Sequence, residues 1–157
     1  MSSDAYFMNE ALKLAEMSAL EGEVPVGAVI TKGTQIISTG RNRREKRKNA
    51  LYHAEIEAIN DACRVLCGWC LWECDLYVTL EPCPMCAGAI INSRIKRLVF
   101  GAYDKQAGSC SSVINLFEQT YNYKPDVISG VLADDCAQIL TNFFKQLRAR
   151  ECHYKTS

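Results

Sequence analysis

Leu76-Tyr-Val-Thr-Leu-Glu-Pro-Cys-Pro-Met-Cys-Ala-Gly-Ala-Ile-Ile-Asn92 changes its hydrophobic period halfway along. Leu76–Leu80 is a short apolar run bounded by polar residues, which predicts a buried strand. Pro82 ends it, because the residue before a proline is pushed out of the helical region and Glu81 is restricted to extended geometry. Pro84 fits the first position of a helix, where its missing N–H costs nothing, and that helix is expected to run to about Asn92. A strand feeding a helix through a tight turn is the repeating unit of a layered α/β fold. The turn also carries Cys83 and Cys86, three apart at a helix start, so both thiols can face one ion.

Outward from this stretch the alternation continues. Upstream, Asp4 to Leu20 reads as an amphipathic helix stopped by Gly22, with Met8, Ala11, Leu12, Ala15 and Ala19 at helical spacing. Val26–Thr31 and Gln35–Thr39 are β-rich runs separated by the hairpin signal Lys32-Gly33-Thr34, and Arg41 to Ala50 is a polar loop. Ala54–Leu66 returns to helical spacing through Ile56, Ile59, Ala62 and Leu66. Downstream, Leu98–Gly101 is a buried strand, Ala102–Ser112 a Gly- and Ser-rich loop, Val113–Gln119 a short helical piece, and Asp126–Ser129 a strand. The last element is a helix with an apolar stripe of Cys136, Ile139, Leu140, Phe143, Phe144 and Leu147, with Asp134 as its N-cap. Strand–helix alternation without repeats or linkers predicts one domain over 1–157, an α/β fold with helices on the sheet faces.

Composition narrows the class. The chain has 157 residues, 48% hydrophobic and 23% charged, with 18 basic and 18 acidic side chains. That balance excludes disorder, collagen-like sequence and low complexity. No run approaches the ~20 apolar residues of a transmembrane helix, so no membrane anchor or secretory signal is expected and the location predicted is the cytoplasm. Nine cysteines, an odd number without a secretion signal, do not resemble a disulfide framework and divide into metal ligands, reactive thiols and buried small hydrophobes.

With only two histidines, His53 and His153, a mixed Cys/His metal site has few sources for its imidazole. His53-Ala54-Glu55 opens one helix as Pro82-Cys83-Pro84-Met85-Cys86 opens another. Three protein ligands, His53, Cys83 and Cys86, leave a fourth tetrahedral position for water, the open arrangement of catalytic zinc. Two helix N-termini aimed at that spot favour thiolates and an oxyanion. Glu55, two residues from the imidazole, can touch such a water without binding the metal and can accept and return its proton. H-x-E followed by P-C-x-x-C is the pattern of zinc-dependent nucleobase deaminases. A lone C-x-x-C of no function, or a His53 that merely caps a helix, would explain neither the glutamate nor the prolines.

The similarity extends beyond the motif. Glu23-Val-Pro-Val-Gly-Ala-Val29, Thr79-Leu-Glu-Pro-Cys-Pro-Met-Cys-Ala-Gly-Ala89, Gly108-Ser-Cys-Ser-Ser-Val-Ile-Asn-Leu116 and Gly130-Val-Leu-Ala-Asp-Asp-Cys136 through Phe143-Phe144 resemble the bacterial tRNA-specific adenosine deaminases. The resemblance implies a cytidine-deaminase-like three-layer α/β/α sandwich around a mixed five-stranded sheet. It also implies a homodimer with its active sites near the subunit interface. It implies zinc, one ion per chain, on His53, Cys83 and Cys86, with zinc-bound hydroxide attacking C6 of the wobble adenosine at tRNA position 34. Glu55 would be the proton shuttle and inosine the product. By the same resemblance Asn42 contacts the target base, the Ala54 N–H helps hold the exocyclic group, and Asp104 contacts the nucleic-acid backbone. Pro84 stands where many members carry an aliphatic residue, and deaminases of free bases also read Pro-Cys-Pro-Met-Cys. Deamination of a free base or nucleoside, guanine or cytosine, therefore stays open as the alternative substrate class.

Charge distribution bears on that choice. Residues 1–40 carry a net −3, 41–48 a net +5, and 49–157 a net −2. The basic run, with Arg43 and Arg44 next to Asn42, stands directly before His53 and can neutralise phosphates of a tRNA anticodon loop. Its bland reading is a solvated loop. Lys145, Arg148 and Arg150 either touch RNA or complement a helix C-terminus. Cys63, Cys67, Cys70 and Cys74 follow helical spacing, but Gly68 and Trp69 should end that helix after Cys67, so the four are not expected to share a face or bind a metal. Cys110, Cys136 and Cys152 get the same reading. Trp69 and Trp72 read as core or dimer-interface aromatics, and His153 as a surface residue.

Overall fold

Residues alternate across the sheet and divide the core in two. In the computed structural model, which describes residues 1–155, five strands lie in the order β2-β1-β3-β4-β5. They are β1 (Gly27–Lys32), β2 (Gln35–Arg41), β3 (Cys74–Leu80), β4 (Arg97–Ala102) and β5 (Asp126–Ser129). β1 pairs antiparallel with β2 and β3, and β3–β4–β5 run parallel. Ala28, Ile30, Leu76, Val78, Leu98 and Phe100 point to one face and meet α3 (Ala54–Val65) and α4 (Pro84–Ser93) through Ala58, Ala62, Ala87 and Ile90. Val29, Tyr77 and Val99 point to the other, where α1 (Ser3–Leu20) brings Phe7, Met8 and Ala11, and α5 (Ala133–Lys155) brings Cys136. This is the expected three-layer sandwich around a mixed five-stranded sheet. No described helix is long and apolar enough to cross a membrane.

The decisive stretch folds as its period predicts. β3 gives way at Glu81, Cys83 is the N-cap of α4, and Pro84 occupies its first turn. Gly40 sets the height of the neighbouring helix: a Cβ there would fall on the Ala54 carbonyl, so only glycine lets the first turn of α3 lie against β2. The first turn carries the residues that matter, with His53 as N-cap, followed by Ala54 and Glu55.

Several expectations change. The polar loop 41–50 is shorter than predicted, because Arg41 completes β2 opposite Gly27. Residues Arg44–Arg47 then form one helical turn, α2, closed by Lys48 in the left-handed region at φ 50°. Asp134 does not cap α5. That helix begins at Ala133 and places both Asp134 and Asp135 inside its first turn, where they still complement the dipole. Along its stripe only Cys136 is fully buried, while Phe144 and Leu147 are 39% and 40% exposed, because β5 at the sheet edge offers α5 little to cover. α3 ends at Val65, two residues before Cys67, whose φ is 53°. Trp69 and Trp72, 66% and 62% exposed, are not core residues of this chain.

Candidate active site

Two helices start on the same face of the sheet and point their N-termini at one spot. His53 Nδ1 stands 3.7 Å from Cys83 Sγ and 3.6 Å from Cys86 Sγ. A tetrahedral ion bonded to nitrogen at about 2.0–2.1 Å and to sulfur at about 2.3 Å requires N···S separations of roughly 3.6 Å, so the donor set fits zinc in type and spacing. Among the described residues this is the group of three that brings metal-binding atoms within 4.8 Å of one another. Of the remaining cysteines, Cys67 and Cys152 are exposed, Cys63 and Cys70 half-buried, and Cys74, Cys110 and Cys136 buried.

Cys83 and Cys86 are in hydrogen-bond contact with each other. The Cys83 thiolate is held down to about 4, first by the Cys86 thiol that donates to it and then by His53. Cys86 is driven far up by the same contact and by burial. His53 is raised, chiefly by its hydrogen bond with Cys83. Glu55 is 4% exposed, and that burial pushes its carboxyl above the ordinary carboxylate range, opposed by its own N–H and by His53. A carboxyl placed beside this donor set can take a proton from water and return it to a substrate.

Beside the donor set is a cavity of about 170 Å³, below the ~300–1,000 Å³ that encloses a drug-sized ligand, so it suits one ring system. Its lining includes Asn42, Arg44, His53, Ala54, Glu55, Cys83 and Asp104. The structure thus gathers seven of the sequence-predicted residues, with Cys86 buried behind His53. Two stand apart. The Arg43 guanidinium lies on the Glu57 carboxylate. Arg148 is on α5, in a shallow groove with Gln106, Leu140 and Phe144.

Within the lining, Asn42 is already engaged: its Nδ2 donates to the Val24 carbonyl at 3.1 Å and its Oδ1 accepts the Arg44 N–H at 3.2 Å. One Asp104 oxygen accepts the N–H groups of Gln106 and Ala107, closing a turn at the pocket edge. The basic run is partly neutralised. Arg41 and Lys46 pair with Glu21 at 2.9 and 3.5 Å, and Arg43 with Glu57. Sequence reading missed the apolar walls Val24, Val26 and Leu80, and also Glu81 and Ala107. The signal for Glu81 was present, an acidic residue between an apolar strand and a ligand cysteine, but the donors it meets lie far along the chain.

Similarity to known proteins agrees with this geometry. The MafB19-like deaminase family model matches residues 1–148. A tRNA-specific adenosine deaminase of Rickettsia bellii is 48% identical over 144 residues, covering 90% of this chain and 99% of the relative. The counterpart of Bacillus subtilis is 43% identical over 152 residues, covering 96% and 94%. A solved structure from studies of A-to-I editing by tRNA:A34 deaminases superposes with a TM-score of 0.84 at 42% identity, covering 86% of this chain and 99% of that one. The chain belongs to the MafB19-like deaminases and, by the relatives it matches over nearly its whole length, to the tRNA-specific adenosine deaminase family.

Proposed function

We propose that this protein deaminates adenosine to inosine at wobble position 34 of tRNA, with residues 1–157 acting as one deaminase domain. The observation that carries the chemistry is the buried Glu55 beside the His53–Cys83–Cys86 donor set, at a pocket sized for one base. The family relatives support the substrate. His53, Cys83 and Cys86 hold one zinc ion per chain, and zinc bound there supplies the Lewis acidity that makes water nucleophilic near neutral pH.

Glu55 takes a proton from the attacking water and delivers it to N1 of adenine as C6 accepts the oxygen. It then passes the second proton from that oxygen to the departing amine, so ammonia leaves and inosine remains. Burial favours the neutral carboxyl and so favours taking the proton from the water. The Ala54 N–H, in an α3 first turn that the His53 side chain does not cap, is free of an intrahelical partner and faces the exocyclic group. Asn42 contacts the base edge by giving up its bond to Val24 or to Arg44. Asp104 meets the nucleic-acid backbone at the pocket edge. Arg44, at the pocket rim, supplies phosphate affinity, and Arg43 adds to it when Glu57 releases it. Arg148, across the Gln106 loop, lies on the path of a longer RNA. The exposed Trp69 and Trp72 suit the surface of a homodimer. The reaction belongs in the cytoplasm, with its tRNA.

Incubating the purified protein with an anticodon stem-loop carrying a wobble adenosine should yield inosine at that position and ammonia. Ammonia released from free guanine or cytosine, and none from the stem-loop, would replace this reading with the free-base one.

A further inference from the structure

One pocket wall is fastened by a single buried carboxylate that takes no part in the chemistry above. Glu81 is 2% exposed and borders the cavity. Its Oε2 accepts the Asp104 N–H at 3.0 Å and the Ser112 hydroxyl. Its Oε1 accepts the N–H groups of Ser112 at 2.8 Å and Cys110 at 3.2 Å. An ionised carboxylate offers about four lone-pair sites, and four donors occupy them. Nothing is left over for a base, so Glu81 is a wall residue that does not read substrate.

Its partners span the segment 104–112, which supplies Asp104 and Ala107 to the pocket. The same segment is pulled onto the metal-ligand turn from the other side. The Ser109 N–H donates to the Pro82 carbonyl at 2.9 Å. Gly108 completes the contact, because a Cβ there would fall on the Glu81 carboxylate. We propose that Glu81 is a positioning residue that holds the 104–112 wall at the spacing one base requires, so that substrate binding depends on it more than the chemical step does. The inference rests on the deaminase reading of the pocket.

Glu81→Gln puts an amide N–H₂ where donors already converge, leaving at least one of them unpaired. It should retain one zinc per chain and raise KM for the anticodon stem-loop roughly tenfold or more, with kcat within about threefold of the unsubstituted protein. Hydrogen exchange at the amides of Asp104, Cys110 and Ser112 should accelerate in parallel. Ser112→Ala, which removes one of four donors and leaves the carboxylate, should move KM and exchange the same way by a smaller factor, and it decides the matter if Glu81→Gln does not fold. Loss of zinc, or a fall in kcat with KM unchanged, would assign Glu81 to the metal-ligand turn and overturn the proposal. Unchanged exchange in a folded variant would overturn it as well. Failure of the unsubstituted protein on the stem-loop sinks the functional reading alone, and exchange at the three amides then judges the clamp.

Discussion

The two walls of the pocket are built on opposite principles. The 104–112 wall is fastened by a buried carboxylate saturated with backbone and hydroxyl donors. Hydrogen bonding overrides the burial that would raise Glu81 and holds its pKa below the ordinary range, first through Ser112 and then through the Asp104 and Cys110 N–H groups. The 41–48 wall is held by partly exposed ion pairs, Arg41 and Lys46 on Glu21 and Arg43 on Glu57. Even its buried anchor, Glu23, uses one oxygen on the Glu45 N–H and leaves the other without a partner in the described residues. Hydrogen bonds in a low-dielectric interior are insensitive to salt, whereas pairs near solvent are screened and exchangeable. One wall therefore keeps the shape of the base pocket, and the other can release cations to a phosphate backbone.

The largest expected effect lies between the walls and should disturb neither. Glu55→Gln removes the proposed proton shuttle while keeping the shape. kcat should fall by about 10²–10⁴-fold with zinc content unchanged, as read by single-turnover kinetics and metal analysis, and an active variant would remove Glu55 from the mechanism. Next is the rigid wall. Gly108→Ala forces a methyl onto the Glu81 carboxylate and the Asp104 carbonyl, and should lower unfolding stability by about 1–3 kcal/mol in a denaturant titration. An unchanged midpoint would mean that the wall yields freely.

The basic wall should respond through affinity more than stability. Replacing Arg44, Arg47 and Lys48, which are outside the Glu21 and Glu57 pairs, with Gln should reduce the slope of log affinity against log salt by roughly 2, at about 0.7 per single-strand phosphate. A slope equal to that of the unsubstituted protein would leave the run as a solvated loop. The smallest effect is on Glu21, whose carboxyl is held below the ordinary range by its hydrogen bond to Arg41, with Lys46 adding to it. A depressed folded pKa gives stabilisation that is present above the unfolded value of about 4.3 and lost as pH falls through the folded one. An NMR titration should find Glu21 titrating low, and returning to the ordinary range in Arg41→Gln or in high salt. No change in either condition would sever the pair.

Much of the site was legible because its logic is local. Two cysteines one helical turn apart, a proline at a helix start and a glutamate two residues after a histidine are short-range facts, and each became a helix N-terminus aimed at one point. Asp134 reads as a cap in the sequence but stands in the first turn of α5, because first-turn and cap positions attract the same residue types. Trp69 and Trp72 read equally as core or interface, because composition does not say which apolar surface a single chain covers.

By itself the sequence determined the layering and singled out the His53, Cys83 and Cys86 cluster with Glu55 beside it, since hydrophobic period and residue spacing act over one or two turns. Tertiary structure decided which cations are free, because Arg43 and Arg41 find Glu57 and Glu21 14 and 20 residues away. It also decided the role of Glu81, whose donors come from 23, 29 and 31 residues along the chain. Partners at that distance meet only when the sheet has set β3 beside β4, and no spacing rule within the sequence encodes it.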